Sequence, residues 1–181
     1  MNSHQLINQT SNSVEWYTPW EIIQCARRLM GTIDLDPFSC YMANNRPEGR
    51  IANEYHDSDC NTLDHPWFGN VWMNHPFGRK YNTDCISKIV FEAERRDRVM
   101  SWGLCITFAS TSEKWFAPLL RYPQFYFTGR INYLDPLTMQ PARGVTKGSV
   151  LTCFPPPGES YECGKAALAL AFGGTFKGVA K

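Results

Sequence analysis

A chain of 181 residues, 43% hydrophobic and 19% charged, has a globular make-up, long enough for one sizeable core and too short for two comfortable domains. A net charge of +1 excludes the strongly basic character that would announce nucleic acid by charge alone, and there is neither a transmembrane-length apolar run nor a signal-peptide pattern. The seven cysteines, odd in number and never spaced C-x-x-C, read as reduced thiols in a cytosolic compartment; the four histidines share no ligand spacing with them, so no metal is expected.

Residues 1–14 are polar, rich in Asn, Ser and Gln, and read as a flexible arm ahead of a single domain over 15–181. Helical spacing of Ile22, Ile23, Ala26, Leu29 and Met30 predicts a helix from Trp20 to Met30, with Pro19 at its first turn and Gly31 as its stop. Thr32 to Asp36 is strand-like and ends at Pro37; an irregular stretch then runs to Leu63. Gly69 to Met73 reads as a turn and a short buried strand. A helix is expected from Thr83 to Arg98, a buried strand from Val99 to Phe108, and a helix from Ser112 to Arg121. Further strands are expected at Gln124 to Thr128 and Ser149 to Phe154, with a Pro- and Gly-punctuated loop, Asn132 to Lys147, between them. The tail from Gly164 is Ala-rich and then Gly-rich, which leaves helix and loose end both open. Strands alternating with helices argue for an α/β protein with a parallel or mixed sheet.

The most informative residues follow the strand at 69–73: Asn74-His75-Pro76-Phe77. Ligands of open α/β sheets bind where parallel strands end. Asn, any residue, Pro and an aromatic suit the methylation of a planar, poorly nucleophilic nitrogen such as an adenine amine, whose lone pair is delocalised into the ring. The Asn oxygen and the carbonyl of His75 can accept its two N–H bonds and help the lone pair re-form as the methyl arrives. Pro76 holds His75 extended, which fixes where that carbonyl points, and Phe77 offers a flat face to the base. The plain alternative is a strand end followed by a turn.

A methyl donor needs its own site, and no G-x-G lies upstream of Asn74. Two features stand in for it. Thr18-Pro19 opens the first helix, where a Thr18 cap would leave free N–H groups facing a carboxylate. Asp36-Pro37 ends the first strand, where the carboxylate could pair with the ammonium of S-adenosylmethionine. Thr-Pro as a mere helix start and Asp-Pro as a mere turn remain open readings. Among the basic clusters, Arg79-Lys80 directly follows the tetrapeptide, where a phosphate would lie if a base entered. Arg143 and Lys147 fall in the loop at 132–147, which makes that loop a candidate DNA contact.

Taken in order, several segments resemble the phage-type DNA adenine-N6 methyltransferase family over roughly residues 15 to 155. They are Glu15-Trp16-Tyr17-Thr18-Pro19, Ile33-Asp34-Leu35-Asp36-Pro37, Asn53-Glu54-Tyr55, Asn61-Thr62-Leu63 with Trp67, and Val71 through Arg79. Phe127-Thr128-Gly129-Arg130-Ile131 and Gly148-Ser149-Val150 extend the match. The resemblance implies a class I, Rossmann-like methyltransferase fold: a compact single domain on a mostly parallel sheet, with S-adenosylmethionine as cofactor, DNA as partner, no membrane, and the cytoplasm of a bacterial or phage-infected cell as location. It implies that Thr18, Pro19, Asp36 and Asn61, the last at the end of a third strand, contact the cofactor. Asn74, the carbonyl of His75, Pro76 and Phe77 would hold the adenine. His75 stands where the family usually has proline, and Asn61-Thr62 where it more often has Asp-Gly.

A base inside a duplex cannot reach such a pocket, so the adenine must be flipped out, at a cost of about a few kcal/mol. Transfer then needs only alignment of amine, methyl and sulfur. The chain has no Pro-Cys dipeptide, which the cytosine-C5 chemistry requires. Methylation of another planar nitrogen (a cytosine N4, an RNA base, a protein glutamine) and a non-catalytic nucleic-acid-binding relative are the rival readings.

Overall fold

The computed structural model describes residues 15–142 and 145–181 and, of Arg79, the backbone. The expected arm at 1–14, Arg143 and the Arg79 side chain lie outside the described residues.

The first helix, α1 (Trp20–Met30), buries Ile22, Ile23, Cys25, Ala26 and Met30 on one face and stops at Gly31, whose φ of 80° ends the helical path. Strand β1 (Leu35–Asp36) follows. The stretch expected to be irregular contains a helical turn, α2 (Tyr41–Asn44), a hairpin of β2 (Asn45–Arg46) and β3 (Gly49–Arg50), and β4 (Glu54–Tyr55). These elements are too short to carry an apolar period and are held by side chains instead. The buried Asn44 amide donates to Ala52 O at 3.2 Å and accepts from Ala52 N at 2.8 Å, closing the hairpin segment on itself.

Strand β5 (Gly69–Met73) matches the expectation. It opens on Gly69 at φ 61°, where a Cβ would fall 2.4 Å from the Asp34 carboxylate; that carboxylate accepts from Asn70 N at 2.8 Å. Helix α3 (Arg79–Glu94) starts four residues before the expected Thr83, on an extended Gly78, so Lys80 sits in its first turn; it ends where Arg95 turns extended. Strand β6 (Met100–Phe108) is long and buried. The helix expected over Ser112 to Arg121 is replaced by turns and a 3₁₀ segment, Ala117–Arg121. Its bonds reach back three residues, as in Phe116 N to Glu113 O and Leu119 N to Phe116 O, and Pro118 has no N–H with which to build an α-helical ladder. Strands β7 (Gln124–Phe127) and β8 (Ser149–Phe154) follow. The tail resolves into α4 (Tyr161–Phe172), capped where Ser160 Oγ accepts from Cys163 N at 3.1 Å, and an edge strand, β9 (Gly178–Ala180).

The sheet order is β4-β1-β5-β6-β8-β7-β9. Strands β4, β1, β5 and β6 pair in parallel; β8 is antiparallel to β6 and β7, and β9 to β7. Five strands therefore run one way and β8 and β9 the other, so the α/β sheet is mainly parallel and compatible with a Rossmann-like methyltransferase fold. Period-two alternation sends Trp72, Leu104, Ile106 and Leu151 to a core under α1 and α4, and Val71, Met73, Cys105 and Val150 to a core under α3 and the 3₁₀ segment. Among the described residues no helix is long and apolar enough to cross a membrane.

Topology fixes where a ligand can enter. From β1 the chain goes first to β4 on one side and then crosses to β5 on the other. The crevice between the carboxyl ends of β1 and β5 is thus a switch point of the sheet. Asp36 ends one strand and Asn74 follows the other.

Candidate active site

A cavity of about 530 Å³ opens at that switch point. Its wall includes Trp16, Tyr17 and Thr18, Asp36 through Cys40, Arg46, His56 through Ser58, Cys60 through Leu63, Asn74, Pro76 and Tyr81. The volume suits a ligand of cofactor size.

Asn74 is held by one bond of known sense. Its Nδ2 donates to the carbonyl of Trp16 at 2.7 Å. A carbonyl only accepts, so the amide cannot be turned the other way without losing the bond. The opposite atom, Oδ1, is buried with no hydrogen-bond partner. Such an orphaned acceptor costs about 1–3 kcal/mol unless a ligand supplies the missing donor.

His75 is 2% exposed and does not line the cavity. Its ring packs edge-on to Phe77 and Phe38, with Nε2 3.1 Å from Asn82 Oδ1. Burial lowers its pKa to about 4, with the Asn82 bond opposing, so the imidazole is neutral near pH 7 and brings no positive charge toward a sulfonium. Pro76 is on the cavity wall. Phe77 is not: it packs on Phe108 at 4.5 Å and Tyr133 at 5.4 Å, in an aromatic cluster that braces the loop. The aromatic side chains that do line the cavity are Trp16, Tyr17, Phe38, Trp72 and Tyr81.

The expected cofactor residues divide. Asp36 lines the cavity and is 4% exposed, accepting from Phe38 N at 3.1 Å. Burial raises its pKa to about 7, against the opposing pull of the Phe38 N–H, the Ser39 hydroxyl and Arg46. Thr18 also lines the cavity, but it is not the helix cap expected: Pro19 occupies that position, and Thr18 Oγ1 is buried without a partner. Pro19 borders a separate groove with Gly129, Arg130 and Met139. Asn61 is on the wall but not at a strand end. Strand β4 stops at Tyr55, and Asn61 precedes a 3₁₀ turn, Thr62–Asp64, with its Nδ2 on Asp64 Oδ2 at 2.6 Å. The polar run after Tyr55 has no apolar alternation to prolong the strand.

Arg46 joins the site without any sequence signal to mark it. It is 7% exposed, lines the cavity, and donates through Nε to Ala43 O at 2.9 Å and through Nη1 to Thr18 O at 2.5 Å. Only the hairpin brings it there, and nothing in the spacing of isolated basic residues announces the hairpin.

Of the basic residues expected to meet DNA, Lys80 is exposed, its ammonium 5.6 Å from the ring centre of Tyr81 at the cavity wall. Lys147 lies 5.3 Å from the ring centre of Phe108, beside the Phe77 cluster. The loop at 132–147 is anchored to the site: Tyr17 N donates to Leu134 O at 3.0 Å and Leu134 N to Tyr17 O at 2.8 Å. It therefore grips the segment whose Trp16 carbonyl orients Asn74.

Comparison with known proteins bears on this arrangement. The family model described as DNA N-6-adenine-methyltransferase (Dam) matches residues 7–163. The searches of curated proteins and of solved structures gave no match.

Proposed function

The chain belongs to the DNA N-6-adenine-methyltransferase (Dam) family, and from that premise we propose that it transfers a methyl group from S-adenosylmethionine to the N6 amine of an adenine flipped out of DNA. The observation that carries the reading is Asn74: a side chain on the wall of the switch-point cavity, fixed in one sense by Trp16, with its buried oxygen unpartnered.

The residues fit the cofactor. A buried carboxylate at Asp36 suits an ammonium, and the orphaned Thr18 hydroxyl needs a polar partner. Asn61 and the His56–Ser58 turn line the part of the cavity beyond β4, where polar groups can meet a ribose. S-adenosylmethionine supplies an electrophilic methyl group on a sulfonium.

The chain's own residues do the rest. Asn74 Oδ1 accepts one amine N–H and the carbonyl of His75 accepts the other. Both bonds strengthen as positive charge develops on the nitrogen, so they favour the transition state over the ground state. Pro76 holds the loop that aims them, and the neutral His75 keeps positive charge away. Trp16 and Tyr81 offer flat faces for a base, and stacking can return roughly 1–3 kcal/mol of the flipping cost. Lys80 and Lys147 stand near enough to take backbone phosphates, with Arg79 and Arg143 as sequence neighbours of the same charge.

The test is nucleoside analysis of DNA incubated with the protein and S-adenosylmethionine, with RNA and protein substrates run in parallel. N6-methyladenine in the DNA is the expected product. N4-methylcytosine, methylated RNA or methylated protein would move the activity to a rival substrate, and no product in any substrate would leave a binding protein.

A further inference from the structure

Asp36 and Arg46 are both buried, both line the switch-point cavity, and form no ion pair with each other; the ion pairs among the described residues all lie elsewhere. Each is tethered short of the other. The Asp36 carboxylate is held by the Phe38 N–H, and the Arg46 guanidinium by the carbonyls of Ala43 and Thr18. The Nη2 end of the Arg46 fork has no hydrogen-bond partner among the described residues. Tyr17 closes over the guanidinium, its ring centre 5.5 Å from Cζ. Removing two opposite charges from water without joining them is costly for both. That cost is relieved by a ligand that brings a positive and a negative group together. An α-amino acid does so on a single carbon.

Resting on the reading above, we propose that Arg46, with the orphaned Thr18 hydroxyl beside it, receives the carboxylate of the donor's amino-acid end while Asp36 receives its ammonium. The anion site thus lies on the β2–β3 hairpin and not on the first turn of α1. With Nε and Nη1 already committed to carbonyls, the free Nη2 group is a fixed, charged donor for a carboxylate, more specific than helix N–H groups would be. This gives the hairpin a role in binding. Asn44 and the α1 side chain of Arg27, which donates to the carbonyls of Arg50 and Ile51, fix it over the cavity so that Arg46 is aimed before the donor arrives.

Calorimetry with three probes tests this without turnover: S-adenosylhomocysteine, its decarboxylated analogue that keeps the amine, and 5′-methylthioadenosine, which lacks the amino-acid end. Wild type should bind S-adenosylhomocysteine at least about tenfold more tightly than the decarboxylated analogue, as a charged hydrogen bond provides. In Arg46→Met that preference should fall to within about threefold, and in Arg46→Lys it should be reduced but present, with methylthioadenosine bound alike by all three proteins. Because the ligand is changed as well as the protein, wild type alone already tests the idea if a variant folds poorly. Equal binding of the two amino-bearing probes by wild type, or an undiminished preference in Arg46→Met, overturns the assignment of Arg46 while leaving the transferase reading intact. Failure of wild type to bind any of the three overturns both.

Discussion

Asn74 and Trp16, 58 residues apart in the chain, are joined by a 2.7 Å bond from the Asn74 amide to the Trp16 carbonyl. It fixes the sense of the Asn74 amide and leaves Oδ1 buried without a partner. Asn74→Asp is therefore not a mild change: an ionised carboxylate has nothing to donate to Trp16, and two acceptors would face each other. Turnover near pH 8 should fall at least about tenfold, the range expected for one lost transition-state contact being wider still. A protonated carboxyl can donate to Trp16 and still accept with its other oxygen, so the variant should gain activity relative to wild type as pH falls. A pH–rate profile parallel to wild type would mean that the Trp16 bond does not orient Asn74.

Asp36 and His75 pull stability in opposite directions. Burial lowers His75 to about 4 from 6.5, so the unfolded chain takes up a proton between pH 6.5 and 4 that the folded chain refuses, and stability is lost as pH falls through that window. Burial raises Asp36 to about 7 from 3.8, so the folded chain holds a proton that the unfolded chain has released between pH 3.8 and 7, and stability is gained as pH falls. Between pH 4 and 6.5 the two effects oppose each other in wild type. Asp36→Asn removes one of them, so relative to wild type it should lose roughly 1.4 kcal/mol of stability per pH unit on acidification across that range. Above pH 7 the same variant should be more stable than wild type, because a desolvated charge is gone, while binding S-adenosylhomocysteine more weakly. Denaturation curves at several pH values check the first statement and calorimetry the second; a pH-independent difference between the two proteins would contradict the burial account of Asp36.

The elements that packing imposes over many residues were legible. The bounds of α1, β5 and β8 follow from apolar spacing and punctuation, and β6 differs from expectation by one residue. The place of Asn74 and Asp36 on the cavity wall was legible because ligand crevices of α/β sheets open at strand ends. The hairpin bearing Arg46 was not, since two-residue strands have no period and are held by the amide of Asn44 and the guanidinium of Arg27. That Phe77 stands off the cavity wall was not legible for a related reason. Sequence shows an aromatic after proline but not Phe108 and Tyr133, brought from distant strands and loops to occupy its ring. Thr18 kept its place in the cavity and lost its expected role, because α1 begins one residue too late for it to cap.

Lys80 lies in the first turn of α3 against Tyr81 of the cavity wall, and Lys147 lies in the loop after Asn132 against Phe108. If both take phosphates, Lys80→Ala with Lys147→Ala should reduce the slope of log affinity against log salt by roughly one per lysine. Affinity for S-adenosylhomocysteine should be unchanged. Adding Arg143→Ala should lower the slope further. DNA titrations over a salt series read this directly, and an unchanged slope would move the DNA surface to the Arg95–Arg98 side of the molecule.

The most direct measurement is single-turnover transfer of labelled methyl from S-adenosylmethionine to adenine in DNA, by wild type and by Asn74→Ala. S-adenosylhomocysteine binding is measured on the same preparations. An acceptor that acts only on charge developing in the transition state predicts transfer slowed by at least about a hundredfold in the variant, with cofactor affinity within about twofold of wild type. Transfer at the wild-type rate in Asn74→Ala would contradict the account at its centre.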